Sequence, residues 1–161
     1  MGERLRQVAV VGPGEASAGQ EEVAYEVGAR LARAGLLVVT GGLGGVMAAA
    51  SRGAVEAGGR TLGLLPGTDP AAANPWVQAV VPTGLGQARN ALVVGSAAAL
   101  VAVGGGWGTL SEVALALRDG RPVVGVGSWR PRPPDGAPSP VVAAATAADA
   151  VAALLHLSLP N

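Results

Sequence analysis

One strand–turn–helix segment in the second half of the chain most constrains how it can fold. The apolar run 97–103 is typical of a buried strand, and it ends at Gly104-Gly105-Gly106-Trp107-Gly108. Apolar residues then recur at helical spacing, so we expect a helix from Thr109 to Arg118. A glycine turn of this kind brings free backbone N–H groups to a helix N-terminus, where the helix dipole favours an anion.

The spacing of this turn matches neither of the two familiar phosphate-binding loops. The chain contains no lysine, so a GxxxxGK[ST] loop is excluded, and the glycines run GGGxG rather than GxGxxG. Taken alone, the turn fits either a phosphate-binding loop or an ordinary tight connection. Glu112 also has two interpretations: it pairs with Thr109 in a helix capping box, or it contacts a ligand at the mouth of the site.

Short apolar runs alternate with helical patterns along the whole chain. We expect strands at 7–12, 36–40, 61–65, 77–81, 97–103, 122–126 and 141–145, and helices at 20–34, 46–57, 86–96, 109–118 and 147–157. This alternation predicts a mostly parallel α/β sheet with helices on both faces, a three-layer α/β/α arrangement. The length fits a single domain over residues 1–161, with the proline-rich segment 129–140 as a surface excursion.

Three glycine turns, at 12–14, 41–45 and 104–109, each follow a predicted strand. The carboxyl ends of parallel strands meet at one edge of a sheet, and ligands of open α/β sheets bind at that edge. Three turns on a common edge favour a phosphate-bearing ligand. The candidate ligand-binding residues in these turns are Gly12, Gly14, Gly41, Gly42, Gly44, Gly45, Gly104, Gly105, Gly106, Gly108 and Thr109.

The composition excludes several classes of protein. The 11 acidic residues balance the 11 arginines, so there is no basic field that would hold a nucleic acid. The absence of cysteine excludes disulfides, thiolate chemistry and cysteine-based metal sites, and we assign no metal site. The absence of lysine excludes a Schiff base, and with it any lysine-anchored pyridoxal phosphate enzyme.

The chain also carries no signal that points to a membrane. No N-terminal stretch has the pattern of a signal peptide, and the uncharged stretch 90–111 is interrupted by three consecutive glycines. We therefore expect a cytoplasmic globular protein with no membrane partner. Its charged content of 14% and apolar content of 50% favour a buried interface between copies of the chain.

Three motifs taken together resemble the LONELY GUY-like superfamily, whose members were once labelled lysine decarboxylases. They are Gly41-Gly42-Leu43-Gly44-Gly45-Val46-Met47, Gln87-Ala88-Arg89-Asn90, and the run 105–112 (GGWGTLSE). With the following G-x-P-V-V at 120–124, the pattern looks most like the branch that includes the molybdenum cofactor carrier proteins. The resemblance covers roughly residues 8–126, and it implies a Rossmann-like, doubly wound sheet and a homodimer or homotetramer.

The resemblance also implies roles for individual residues. In the cytokinin-activating members an arginine and a glutamate serve hydrolysis of an N-glycosidic bond, and the matching positions are Arg89 and Glu112. Arg89 has a structural alternative, a salt bridge or an interface contact. Met47 and Asn90 join the candidate ligand-binding residues. Those enzymes carry a proline where this chain has Gly104 and a lysine where it has Asn90, and both departures point toward the carrier-like branch.

We therefore expect a binding or carrier protein for a phosphorylated nucleotide-like or pterin-like small molecule. The expected ligand is the molybdenum cofactor or a nucleoside monophosphate, and no cofactor is required for chemistry. The alternative is a nucleoside 5′-monophosphate phosphoribohydrolase, which would release the free base and ribose 5-phosphate. In that reaction a carboxylate stabilises the oxocarbenium-like transition state and activates water.

Overall fold

The structure is a computed structural model that describes residues 6–157. Its strands are β1 (Gln7–Val11), β2 (Leu37–Thr40), β3 (Thr61–Leu65), β4 (Ala79–Pro82), β5 (Ala99–Val103), β6 (Val123–Val126) and β7 (Val142–Ala144). Its α-helices are α1 (Ala18–Arg33), α2 (Val46–Glu56), α3 (Asn90–Gly95), α4 (Trp107–Arg118) and α5 (Ala147–His156). Two 3₁₀ turns, Pro70–Ala72 and Gly86–Arg89, complete the regular structure of this range.

All seven strands lie in one sheet in the order β4-β3-β2-β1-β5-β6-β7, and every neighbouring pair is parallel. The chain winds outward from β1 to β4, then returns to the other side of β1 and continues through β5 to β7. The order therefore reverses between β1 and β5, which is where open α/β sheets bind their ligands. The predicted doubly wound, Rossmann-like fold is confirmed.

The helices cover the two faces of the sheet as separate layers. One layer contains α1, α2 and α5, which pack on residues such as Val8, Val10 and Val101. The other contains α3 and α4, which pack on Val11 and Leu100 among others. Both faces of the central strands are thus buried, which explains why they read as continuous apolar runs. Within residues 6–157, no helix is both long and apolar enough to span a bilayer.

Several predicted boundaries shift in the structure. Strand β4 begins at residue 79 rather than 77, because the chain just before it is held to Thr61 by side-chain bonds. The Thr61 hydroxyl donates to the carbonyl of Trp76 (2.8 Å), and the backbone N–H of Gln78 donates to the same hydroxyl (2.9 Å). The helix predicted at 86–96 divides into a 3₁₀ turn followed by α3. The segment 129–140 forms no helix or strand and is mostly exposed.

Candidate functional site

A cavity of about 340 Å³ lies at the point where the strand order reverses. Its wall is built by the turn 12–14 after β1, by Gly41 and Leu43 after β2, and by the first residues of α4 after β5. The register explains this assembly, since Val11 of β1 lies beside Ala102 of β5. The loops that leave these strands must therefore emerge next to each other.

The structure brings most of the predicted site residues to this one cavity. The predicted residues in its wall are Gly12, Gly14, Gly41, Met47, Arg89, Asn90, Gly106, Gly108, Thr109 and Glu112. The remaining predicted glycines belong to the same turns but do not line the cavity; they are Gly42, Gly44, Gly45, Gly104 and Gly105. A side chain at Gly42 would approach Leu65 to 2.8 Å, and one at Gly105 would approach Trp129 to 2.7 Å. These glycines allow close packing of the turns that carry the wall.

The N-terminus of α4 faces this cavity without a side-chain cap. The helix begins at Trp107, two residues earlier than predicted, and its N-cap residue is Gly106. The backbone reaches this early start through Gly104 (φ +60°) and Gly105 (φ +155°), conformations that favour glycine. Among the described residues, no side chain caps the N–H groups of the first turn, and no acidic residue lies in it. Its free N–H groups are therefore available to an anion.

This early start makes the predicted capping box wrong. A capping box needs Thr109 at the N-cap, but Thr109 is already the third residue of the helix. Glu112 consequently lies in the second turn, where it cannot bond the first free N–H groups. Both side chains are buried, with 3% of Thr109 and 8% of Glu112 exposed, and both border the cavity. Glu112 therefore borders the cavity and does not cap its own helix.

Arg89 is a buried arginine that reaches across two strand ends. Its Nη1 donates to the carbonyl of Gly41 (2.5 Å) and to the carbonyl of Leu64 (2.6 Å). Its Nε is buried and has no hydrogen-bond partner among the described residues. Burial lowers the pKa of the guanidinium, and the nearby Glu112 opposes that shift. Arg89 therefore holds the turn after β2 in place while bringing positive charge to the cavity wall.

The Glu112 carboxyl titrates near neutral pH. Burial raises its pKa to about 7, and the positive charge of Arg89 opposes this rise. In the part of the chain that the structure describes, no ion pair within 4.0 Å joins Glu112 to an arginine. Near pH 7 the site therefore contains a carboxyl that is present in both its neutral and its charged form.

Asn90 connects the two helices that flank the cavity. Its Nδ2 donates to the hydroxyl of Ser111 (3.0 Å), and that hydroxyl donates to the carbonyl of Gly108 (2.7 Å). The sequence singles out Asn90 but not Ser111. The signal for Ser111 is its position three residues after Gly108, which places it one helical turn further along the same face. Gln87, also in the cavity wall, stands two residues before Arg89 and belongs to the same motif.

A pair of tryptophans lies beside the cavity wall, and no sequence pattern indicated that they meet. The rings of Trp107 and Trp129 stack with centroids 5.5 Å apart and an interplanar angle of 29°. The Nε1 of Trp129 donates to the carbonyl of Gly106 (3.0 Å), which ties the start of the proline-rich segment to the N-cap of α4. Trp107 nevertheless remains 80% exposed.

The comparison with known protein families agrees with this architecture. The model of the SLOG cluster4 family matches residues 5–153. The chain belongs to this family. An uncharacterized protein of Archaeoglobus fulgidus is 41% identical over 120 residues, which are 74% of this chain and 79% of that protein.

Solved structures similar to this SLOG cluster4 chain include molybdenum cofactor proteins. The molybdenum cofactor binding protein from the phototrophic bacterium Rippkaea orientalis superimposes with a TM-score of 0.86 at 33% identity, over 96% of this chain and 98% of that one. The molybdenum cofactor carrier protein of Chlamydomonas reinhardtii gives a TM-score of 0.82 at 38% identity, with the same coverage of 96% and 98%. The resemblance that the motifs indicated is confirmed at the level of the family and its carrier-like branch.

Proposed function

We propose that this protein binds a phosphorylated pterin-like or nucleotide-like small molecule and acts as its carrier, with the molybdenum cofactor as the expected ligand. The observation that carries the proposal is the uncapped N-terminus of α4, which opens into a cavity that also contains a buried arginine. A helix N-terminus with unbonded N–H groups favours a phosphate through both hydrogen bonds and the helix dipole. The cavity lies at the strand-order reversal, where such ligands bind in this kind of sheet.

The groups around the cavity suit an anion. Backbone N–H groups of α4 are donors and Arg89 brings a positive charge, while Glu112 is the one carboxyl in the described wall. Because the pKa of Glu112 is about 7, this carboxyl repels an anion only when it has lost its proton. The similar solved structures support the same class of ligand, since they include a molybdenum cofactor binding protein and a molybdenum cofactor carrier protein.

Placing a carboxylate at Gly108 is expected to block the site. Gly108 lies in the cavity wall in the first turn of α4, and a Cβ added there meets no atom within 4 Å, so the backbone accepts a side chain. In Gly108→Asp the new carboxylate is positioned to bond the free N–H groups and to repel a phosphate. We expect the affinity for ribose 5-phosphate, measured by calorimetry, to fall at least about tenfold, a loss of about 1.4 kcal/mol.

The matched control is Gly108→Ala, which adds a Cβ without a charge. It should bind ribose 5-phosphate more tightly than Gly108→Asp does, because it adds no negative charge to the first turn of α4. Equal binding by the aspartate and alanine variants would show that the phosphate lies elsewhere. Absence of binding of every phosphorylated probe to the unchanged protein would refute the proposed function.

One observation favours the hydrolytic alternative. A buried carboxyl with a pKa of about 7 suits a general acid or base at neutral pH, and Glu112 lies close enough to Arg89 for each to shift the other's pKa. A phosphoribohydrolase would convert AMP into adenine and ribose 5-phosphate, and Glu112→Gln would abolish the reaction. A carrier would return AMP intact after prolonged incubation. Chromatography of the incubated nucleotide separates the two functions.

A further inference from the structure

We propose that an apolar groove beside the cavity holds the planar ring of the phosphorylated ligand, with Trp107 as its stacking surface. This inference rests on the proposed function, because it assumes that the phosphate lies at the N-terminus of α4. The groove has a volume of about 910 Å³ and runs between the segment 87–91 and helix α4. Its wall includes Ala88, Ala91, Ala114 and Leu115, so most of the surface offered is small and apolar.

The groove and the cavity are adjacent and share part of their walls. Gln87, Asn90 and Gly108 line both of them. A ligand whose phosphate contacts the first turn of α4 would therefore lie next to Gly108, which also borders the groove. The bond from Asn90 to Ser111 joins the two elements that form the groove.

The volumes of the two spaces also favour a ligand that occupies both. Sites for drug-sized ligands typically span about 300–1,000 Å³. The cavity of about 340 Å³ lies at the lower end of that range, and its backbone N–H groups and Arg89 suit a phosphate and its attached carbons. The neighbouring groove supplies the room and the apolar surface that a flat nitrogen heterocycle needs.

Trp107 is a highly exposed aromatic side chain at the place where the groove and the cavity adjoin. It is 80% exposed although it lies between Gly106 and Gly108 of the cavity wall. Trp129 stacks on it and is itself held by the bond to the Gly106 carbonyl, so Trp107 is supported from one side. A planar heterocycle that stacks on Trp107 would bury apolar surface that is now in water. A purine and a pterin share this chemistry, and they are tested separately.

Trp107→Ala is expected to weaken the binding of ring-bearing ligands and to spare phosphate binding. Stacking of a base on an aromatic side chain contributes to affinity, so the affinities for AMP and for the molybdenum cofactor should each fall about tenfold. The affinity for ribose 5-phosphate, which has no aromatic ring, should stay within about twofold of the unchanged protein. Trp107→Phe should restore most of the loss, because phenylalanine keeps an aromatic face.

Leu155→Ala is the matched control for loss of an exposed apolar side chain. Leu155 is 48% exposed on α5, a helix in the layer on the other face of the sheet, and its replacement should leave all affinities unchanged. Fluorescence gives a second measurement: in a Trp76→Phe background the remaining tryptophans are Trp107 and Trp129. AMP should quench their emission, and ribose 5-phosphate should not.

The results of these experiments distinguish failure of the proposed ring site from failure of the proposed function. If ribose 5-phosphate does not bind the unchanged protein, the proposed function fails and the inference fails with it. If ribose 5-phosphate binds but Trp107→Ala weakens AMP and the molybdenum cofactor no more than Leu155→Ala does, only the inference is overturned. If Trp107→Ala lowers the mass measured by light scattering without changing the preference for ring-bearing ligands, the groove is an interface between copies, which also overturns it.

Discussion

Arg89→Met is expected to remove binding of phosphorylated ligands while leaving a folded protein. The substitution keeps an apolar side chain of similar length but deletes the positive charge from the cavity wall. It also releases the carbonyls of Gly41 and Leu64, to which Nη1 donates, so the turn after β2 loses its anchor. Truncating one partner of a buried, hydrogen-bonded charge interaction costs about 2–5 kcal/mol of binding energy. We therefore expect the affinity for ribose 5-phosphate to fall by about 100-fold or more.

Arg121 offers a control with the same structural role outside the site. Its guanidinium also donates to two backbone carbonyls, those of Ala97 and Gly95, and its Nε is also buried without a partner in the described structure. It does not line the cavity. Arg121→Met should therefore lower the free energy of unfolding in a urea titration, as Arg89→Met does, but it should bind ribose 5-phosphate normally.

The comparison of the two variants separates structure from binding. If both lose stability but only Arg89→Met loses the ligand, Arg89 acts on the ligand beyond its effect on the fold. Equal loss of affinity in both variants would mean that Arg89 serves the fold alone, and the site would have to be assigned without it. The unfolding titration identifies any variant that is too unstable for the binding assay.

The fold could be predicted because its strands are short, apolar and bounded by glycine or proline. β3 has the predicted bounds of 61–65, and its two neighbours in the sheet are parallel to it. Once the sheet is parallel, the carboxyl ends of all strands meet at one edge, so the three glycine turns had to lie on that edge. The prediction that turns 12–14, 41–45 and 104–109 gather there follows from topology alone.

The starts of α1 and α4 could not be read from local patterns, since each lies two residues before the predicted position. The pattern Thr109-x-x-Glu112 has the form of a capping box but lies inside α4, while the capping box that exists joins Ser17 and Gln20 at α1. In the latter the N–H of Ser17 donates to the Gln20 side chain (3.0 Å) and the N–H of Gln20 donates to the Ser17 hydroxyl (3.3 Å). Such a pattern caps a helix only where its first residue is the N-cap. The spacing of nearby residues does not specify where the chain enters the helix.

Contacts between distant segments could not be predicted from the sequence either. Arg89 was selected from a motif, but its partners at the ends of β2 and β3 depend on how the sheet is assembled. The stacking of Trp107 on Trp129 joins the glycine turn to a proline-rich segment with no periodic pattern. The burial that raises the pKa of Glu112 also depends on distant segments, because the cavity wall around it combines turns that follow β1, β2 and β5.

The titration of Glu112 is expected to make the stability of the protein depend on pH. In the folded state its pKa is about 7, against the ordinary value of 4.5 that applies to an unfolded chain. Between these values the folded state binds more protons than the unfolded state, so stability falls as the pH rises. The contribution of Glu112 is fully present below pH 4.5 and is lost as the pH rises through 7. Above that pH the folded state contains a buried charge.

Glu112→Gln removes this titration and keeps the shape of the side chain. The free energy of unfolding of the unchanged protein, relative to that of the glutamine variant, should fall by about 3 kcal/mol between pH 4.5 and pH 8.5. Because both proteins share every other titrating group, the difference isolates Glu112. Urea titrations at several pH values measure it, and the carboxyl carbon signal of Glu112 should show a midpoint near pH 7.

The protonation state of Glu112 should also change the affinity for the ligand. A phosphate monoester is mostly doubly charged above pH 6, its second pKa, so a charged Glu112 in the cavity wall opposes its binding. The affinity for ribose 5-phosphate should therefore decline above pH 7 in the unchanged protein and stay level in Glu112→Gln. A constant difference in stability across this pH range would mean that Glu112 is ionised throughout. Protonation of Glu112 could then not assist the binding of the anion.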